Sequence, residues 1–443
     1  MSNLLLHIKD AYYFEVPKFL WQSQRKSASE FPDWIVRNDP GFQHREATSV
    51  AKALEGLGSG ISADALTNQW SEWQSRPGNF GRPMDVYLDM GADAVVKRAT
   101  RWSKKNAPTS REPLSAYLAS SDAEEPLGWF ARLRSDPKFR KKWEAIKDEH
   151  NSNEFVGNYL AGEGSEWSAS KIEEYNHALS GKILIPQIFG GKLRNAYEPE
   201  SGFCLSKFMI IELVVALLLV GIFAWLGRRI QGGAVPKGRA WNLLEGLMEY
   251  VRKQVFEPAM GPEDSRRFMP LLATLFVFIF GLNLAGMIPF LGAPTASLAC
   301  TAALALVVFA VGLVWGVRAM GPVGYLKNLC PEMGLPPALA IIIVPMLWSI
   351  EFISLFMKHG ILALRLLANM VAGHAVLLGL MGLAVGSAAL YTGASFGLWT
   401  PLGLAIGLGM VGMSLLELFI AFLQAAMFTF LAGLFISSSI HHH

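Results

Sequence analysis

Two hydrophobic rhythms divide this chain. Up to about residue 200, apolar residues recur at helical spacing among charged ones, and 136–151 is a clear instance: Phe139, Trp143 and Ile146 share one side of DPKFRKKWEAIKDEHN, with Pro137 near its start. The exposed side of that predicted helix carries Arg140, Lys141 and Lys142, read as a solvated face. The segment 76–82, rich in Gly and Pro, reads as a loop. Beyond residue 200 the alternation gives way to unbroken apolar stretches. A membrane-spanning helix needs about 20 apolar residues. Segments 208–227, 268–291 and 296–317 qualify, Glu212 being the only charge in the three, and 294–295 between the last two predicts a tight hairpin. Two far longer stretches follow, 345–390 and 398–436. At about 1.5 Å per residue the first would extend roughly 69 Å, against about 30 Å of hydrocarbon. Gly382 and Gly386 permit a break, but no proline follows Pro345 in that stretch, which favours a strongly tilted helix.

Composition sharpens the division. The chain has 443 residues, 52% hydrophobic and 17% charged, against about 25% charged in a typical soluble domain. Residues 1–200 hold 26 Lys/Arg and 27 Asp/Glu, and the remaining 243 residues only 13 and 9. The expected organisation is a soluble, mostly helical region over 1–205 and a membrane domain over 206–443. Eight of the thirteen Trp lie in the first region, which argues that it folds. It contains no phosphate-binding lysine loop, no HExxH pair and no internal repeat, and its sequence assigns it no role. A net charge of +3 excludes an argument for nucleic acid, and Cys204, Cys300 and Cys330 form no CxxC metal or redox motif. No metal or cofactor is expected. The opening segment, interrupted by Lys9, Asp10 and Glu15, fits neither a secretory nor a transit peptide, so the expectation is an unprocessed bacterial chain.

Lys and Arg set the orientation. The loop 228–267 carries Arg228, Arg229, Lys237, Arg239, Arg252, Lys253, Arg266 and Arg267, which places it inside. The first span then runs from outside to inside, and residues 1–200 lie outside. Within the loop Trp241, Leu244, Met248, Val251 and Val255 recur at helical spacing, predicting an amphipathic helix on the membrane surface.

Charges within the apolar stretches are the candidate chemistry, because each costs about 2.5–3.5 kcal/mol to insert at mid-membrane. Glu351, Lys358 and Arg365 are spaced seven apart and share one helix face, with Arg365 about 21 Å along the axis from Glu351. His374 points to the other side. In the last stretch Glu417 is the only charge, and Gln424 follows seven residues later on the same face. The small residues Ala368, Ala372, Gly373, Ala421, Ala425 and Ala426 around them permit close helix approach. Glu351, His374 and Glu417 can exchange protons, whereas guanidinium stays charged. Arg365 is therefore a barrier to hopping protons and an attractor for a carboxylate. Plainer readings exist: Lys358 and His359 as snorkelling residues, and Glu417 with His374 as a packing pair. Arg365 has the least structural explanation. The GxGxxG match at 407–412 lies inside a membrane stretch with no preceding strand, and reads as packing.

LALRLLANMVAGH (362–374) with LLELFIAFLQAAMFTFL (415–431) resembles subunit a of the F-type ATP synthase. So do NLAGMIP (283–289), PTASLACTAALAL (294–306) and GGAVPKGRAWNLLEGLMEYV (232–251), with a short echo in HIKDAYYFEVP (7–17). The resemblance covers about 203–443. It implies an all-α polytopic membrane protein of about five helices, ending in a long tilted hairpin that wraps the c-ring. It implies that Arg365 faces the c-ring, that Asn369 and Gln424 line the same interface, that His374 and Glu417 form the outer half-channel, and that Glu351 belongs to the inner one. Partners implied are the c-ring, the peripheral-stalk b subunits, membrane lipid and protons. The chain would not be catalytic alone. Its expected location is the bacterial cytoplasmic membrane, with the mitochondrial inner membrane as alternative. A departure from the family is the length of the region before the first span.

Two other classes compete. A secondary transporter should show two related halves and a substrate site, and no internal repeat is visible. A simple membrane anchor leaves Arg365 unexplained. No role attaches to His441–His443. The topology is testable with cysteines placed singly at Ser121 and Pro262 in a Cys-free background: an impermeant maleimide added outside should label the first and spare the second, and equal labelling would overturn the orientation.

Overall fold

The computed structural model describes residues 10–58, 60–76, 78–79, 81–106, 112–120, 125–161, 167–231, 238–288, 291–328, 337–390 and 396–441. In chain order the elements are β1 (Tyr13–Glu15), α1 (Asp33–Arg37), α2 (Pro40–Gly56), α3 (Ala63–Gln74), α4 (Met84–Asn106), α5 (Pro113–Leu118), α6 (Gly128–Arg134), α7 (Pro137–His150), α8 (Asn153–Ala161) and α9 (Ala169–Leu179). There follow β2 (Lys182–Leu184), β3 (Lys192–Asn195), β4 (Glu198–Ser201), α10 (Lys207–Gln231), α11 (Arg239–Val251), α12 (Glu257–Gly286), α13 (Leu298–Asn328), α14 (Pro337–Leu390) and α15 (Phe396–Ile440). Strand β1 pairs with β2, and β3 pairs antiparallel with β4. The chain divides into two compact units. One comprises Pro17–Lys182 and Lys192–Gly202, the other Met1–Val16, Ile183–Gly191 and Phe203–His443.

The first unit is a small helical assembly around aromatic side chains. Trp143 and Phe130 are fully buried with Leu54, Leu66 and Leu88, the two rings meeting edge to face at 5.1 Å between centroids. The expected helix over 136–151 is α7. Asp136 caps it by accepting from the Lys138 amide at 3.0 Å, Pro137 opens it, and Arg140, Lys141 and Lys142 are exposed. Two carboxylates organise the polar contacts. Asp89 accepts from Trp143 Nε1 at 3.0 Å, Arg134 Nη1 at 3.1 Å and Lys147 Nζ at 3.2 Å. Asp39, fully buried, caps α2 by accepting from the Phe42 amide at 3.3 Å, and also takes Lys171 Nζ at 2.7 Å and the Tyr175 hydroxyl at 2.9 Å. Burial, and then the Asp39 charge, push the Tyr175 phenol well above its usual range. Of the expected loop at 76–82, the described residues form turns, Gly78 and Gly81 taking φ of 88° and 74°; 77 and 80 lie outside the described residues.

The second unit holds five helices long and apolar enough to cross a membrane, counted among the described residues. Its described N-terminal segment ties down the start of α10: Asp10 Oδ1 accepts from the Phe208 amide at 3.1 Å, and Ala11 O from the Lys207 amide at 2.8 Å. Residues 7–9 of the short family echo lie outside the described residues. The core is built by α12, α13, α14 and α15 around Leu272, Phe276, Ile279, Val308, Leu366, Ala425, Phe428 and Ile436. Gly433 allows α15 to close on the chain before α12's kink, since a Cβ there would stand 3.0 Å from that of Ala259. Much of α10 is exposed, Leu213, Leu217 and Val220 among its residues.

The expected surface helix is α11: Trp241, Val251 and Val255 are buried, Leu244 and Met248 half-buried, and Leu243 and Tyr250 exposed. It passes through a wide turn at Arg252–Phe256 directly into α12. The spans themselves differ from the hydropathy limits. Helix α12 ends at Gly286, ahead of Pro289, and α13 starts at Leu298, so the tight hairpin expected at 294–295 is instead a longer connection with a single helical turn at Pro294–Ala296. Two Gly-Pro pairs kink the same helices: Gly261 (φ 80°) before Pro262 in α12, and Gly321 (φ 73°) before Pro322 in α13. By contrast α14 runs unbroken for 54 residues and α15 for 45, about 81 and 68 Å at helical rise.

Asp39→Ala should destabilise the first unit by about 3–5 kcal/mol, because it strips a buried cap and leaves Lys171 without its anion. Thermal unfolding followed by circular dichroism of the full chain measures this. Above pH 10 the unfolded Tyr175 loses its proton while the folded one holds it. Stability present below pH 10 should therefore fall as pH rises beyond it, and Tyr175→Phe should flatten that fall.

Candidate functional site

Helices α14 and α15 lie side by side, and their closest polar contact joins the two titratable residues expected to meet. His374 Nδ1 lies 2.6 Å from Glu417 Oε1, with side chains only 13% and 4% exposed. One proton sits in this contact whichever residue owns it: Nδ1–H of a neutral or charged imidazole donating to carboxylate, or carboxylic acid donating to the ring nitrogen. The backbone makes room for the carboxylate. A Cβ on Gly373 would stand 3.1 Å from Glu417 Oε1, so Gly373 lets the acid settle against α14. Ala421, one turn beyond Glu417, is also buried. Its carbonyl accepts from Asn283 Nδ2 of α12 at 3.1 Å, and Asn283 is fully buried with its Oδ1 unpartnered.

Arg365 is half-buried on α14 and, among the described residues, has no hydrogen-bond or ion-pair partner. Asn369, one turn on, is also half-buried, and Gln424 on α15 is 9% exposed. The face beside Arg365 is apolar and open: Ile361 and Leu364 are about half exposed, and Ala368 and Ala372 face outward. Gly360, Gly379 and Gly382 would meet nothing with an added Cβ. Of the small residues noted in sequence, Gly373, Ala421 and Ala425 pack inside, whereas Ala368 and Ala372 do not. The glycines of 407–412 depart from the packing expected of them. Gly407, Gly409 and Gly412 are exposed on α15, and an added Cβ on each would meet nothing within 4 Å among the described residues.

The face shared by Glu351, Lys358 and Arg365 divides. Lys358 Nζ meets Glu351 Oε1 at 2.7 Å across two helical turns, both side chains about 40% exposed, and Arg365 stays out of the pair. His359, expected to snorkel, is buried. Its Nδ1 lies 2.8 Å from the Leu355 carbonyl, and its ring meets Phe309 at 5.2 Å and Phe435 at 5.0 Å. Sequence reasoning passed over Lys358 as the partner of Glu351 although the seven-residue spacing carried that signal. It also passed over Asn283 individually, whose only signal is an amide inside an otherwise apolar span.

These features define a polytopic helical membrane protein with a buried acid–histidine pair and, on the same two long helices, an arginine unpaired among the described residues. A family model described as ATP synthase A chain matches residues 209–437, and the chain belongs to that family. Among curated relatives, an ATP synthase subunit a of Anaeromyxobacter dehalogenans (strain 2CP-C) is 41% identical over 242 residues, covering 53% of this chain and 57% of the relative. That of Myxococcus xanthus (strain DK1622) is 39% identical over 244 residues, covering 54% and 75%. An ATP synthase subunit a 2 of Chlorobaculum tepidum is 32% identical over 313 residues, covering 67% and 83%. The match thus spans little more than half of the first relative's length. Residues 1–208 precede the family match.

A double-mutant cycle of Glu417→Gln and His374→Gln should return a coupling of about 1–3 kcal/mol in unfolding of the purified chain, since both side chains share one buried contact. Independent, additive losses would mean that the 2.6 Å contact contributes nothing to stability.

Proposed function

We propose that this chain is the proton-conducting stator subunit of an F-type ATP synthase in a bacterial cytoplasmic membrane, working against a ring of c subunits that carry carboxylates. Membership of the family supports the class. The observation that carries the mechanism is Arg365, a guanidinium without a hydrogen-bond or ion-pair partner among the described residues, beside an open apolar face of small residues. A charge so placed is costly unless something outside the chain meets it. An ionised carboxylate on a moving ring meets that need, and small residues permit its helices to come close.

In this reading protons enter from the outer side through His374 and Glu417, whose shared proton can be passed on without creating an isolated buried charge. They neutralise a ring carboxylate, which then tolerates the lipid. After most of a turn the carboxylate reaches the inner side and gives its proton to the route at Glu351, where Lys358 faces the acid. Arg365 stands between the two routes. It stays protonated, so it blocks direct hopping and holds the carboxylate in its ionised form. Asn369 and Gln424 line the surface that the ring slides past, and the b subunits of the peripheral stalk hold the chain still. The region 1–205 lies on the outer side, ahead of the membrane domain 206–443, and most of it belongs to the compact unit 17–182 with 192–202. Nucleotide chemistry belongs to other subunits.

Replacing Arg365 with Lys tests the reading. Lys can lose its proton in a low-dielectric site and lacks the planar fork of guanidinium, so ATP synthesis by the complex in vesicles under an imposed proton gradient should fall to background. Arg365→Ala should also abolish synthesis and raise passive proton flux. Glu417→Gln and His374→Ala should each cut synthesis by about tenfold or more with the complex still assembled. Near-normal synthesis in Arg365→Lys would overturn the mechanism.

A further inference from the structure

Helices α12 and α13 present a second charged feature that the proton route does not use. Arg267 of α12 places its guanidinium carbon 4.3 Å from the centre of the Trp315 ring and 5.8 Å from that of Phe268. Arg318 of α13 approaches the same Trp315 ring at 5.5 Å. The two guanidinium carbons are therefore no more than 9.8 Å apart. Both side chains are exposed, and neither has an ion-pair partner among the described residues. The nearby acids do not neutralise them. Asp264 is engaged by His441 Nε2 at 2.7 Å, and Glu263, one turn before Arg267, makes no ion pair with it among the described residues.

What lies along the helix from this pair is apolar. Val314 sits one turn before Arg318, and the outward stripe continues through Ala310, Val307 and Ala303, all exposed, with Leu313 beside it. An indole with two guanidiniums beside it at the end of such a stripe has the character of a membrane interface. A phosphate accepts charge-assisted hydrogen bonds from more than one guanidinium, and this end of the stripe offers two around one ring. A ligand with an anionic phosphate and a long hydrocarbon tail satisfies both parts of the surface, and basic clefts between membrane helices recognise such headgroups.

We propose that Arg267, Trp315 and Arg318 form a binding site for an anionic phospholipid, whose phosphate lies on the two guanidiniums and whose acyl chain follows the Val314–Ala310–Val307 stripe. The site is distinct from the Arg365 surface and does not depend on the proposed proton route.

Native mass spectrometry of the full chain in detergent tests it, with phosphatidylglycerol or phosphatidylcholine added to the micelles. The unmodified chain should retain phosphatidylglycerol in preference to phosphatidylcholine. The double variant Arg267→Gln/Arg318→Gln should retain roughly tenfold less, at unchanged helical content. Arg228→Gln/Lys253→Gln removes the same charge elsewhere on the chain and should retain phosphatidylglycerol normally. An equal loss in that control would mean general attraction rather than a site, and would overturn the proposal. So would equal retention of both lipids. A third arm needs no variant: millimolar inorganic phosphate should leave bound phosphatidylglycerol in place, and its displacement would assign the guanidiniums to a free anion instead.

Discussion

Guanidinium keeps its charge at any pH a protein tolerates, and α14 carries one, Arg365, in a largely apolar helix without a partner among the described residues. Everything around Arg365 is arranged in keeping with that isolation. Glu351, on the same face by spacing, is held by Lys358 at 2.7 Å. Glu417, the acid on the neighbouring helix, is held by His374 at 2.6 Å. Each carboxylate of the two long helices thus has a cation or imidazole of its own, and among the described residues Arg365 has neither hydrogen-bond nor ion-pair partner. An unpaired charge in a low-dielectric setting costs free energy. In the proposed mechanism the missing partner arrives and leaves with each step of a ring.

Helix length and close approach serve the same end. Over 54 and 45 residues, α14 and α15 are longer than a bilayer requires of an upright helix, and they stay continuous because no glycine–proline pair interrupts them. Helices α12 and α13 do contain such pairs, at Gly261-Pro262 and Gly321-Pro322, and they kink there. Between the two long helices, Gly373 lets Glu417 come within reach of His374. Farther along, Gly433 brings α15 against the chain at Ala259, so the acid–histidine contact sits on a well-packed support.

The unit formed by Pro17–Lys182 and Lys192–Gly202 obeys ordinary aqueous rules. Its carboxylates Asp39, fully buried, and Asp89, half-buried, each gather several donors from elements distant in sequence, which satisfies them and fixes helix positions at once.

Much of this was determined by sequence alone. Apolar run lengths located the membrane helices, since a spanning segment must hide its backbone from lipid. The periodicity of 136–151 and of 241–255 predicted α7 and α11, because each helix buries one stripe and exposes another. Spacing within a single helix also put Glu351 and Lys358 on one face, a relation of geometry that needs no partner. Tertiary structure decided the rest. Spacing along α14 cannot say which neighbour His374 meets, or that His359 is enclosed by Phe309 and Phe435 instead of reaching for the interface. It cannot say that the glycines at 407–412 face outward or that Asn283 turns to the Ala421 carbonyl. The helix ends at Gly286 and Leu298 were likewise set by turn geometry that hydropathy does not sense. Periodicity reports which side of a helix is apolar. Only packing decides which apolar side finds a neighbour, and in lipid the two exposures carry nearly the same free energy.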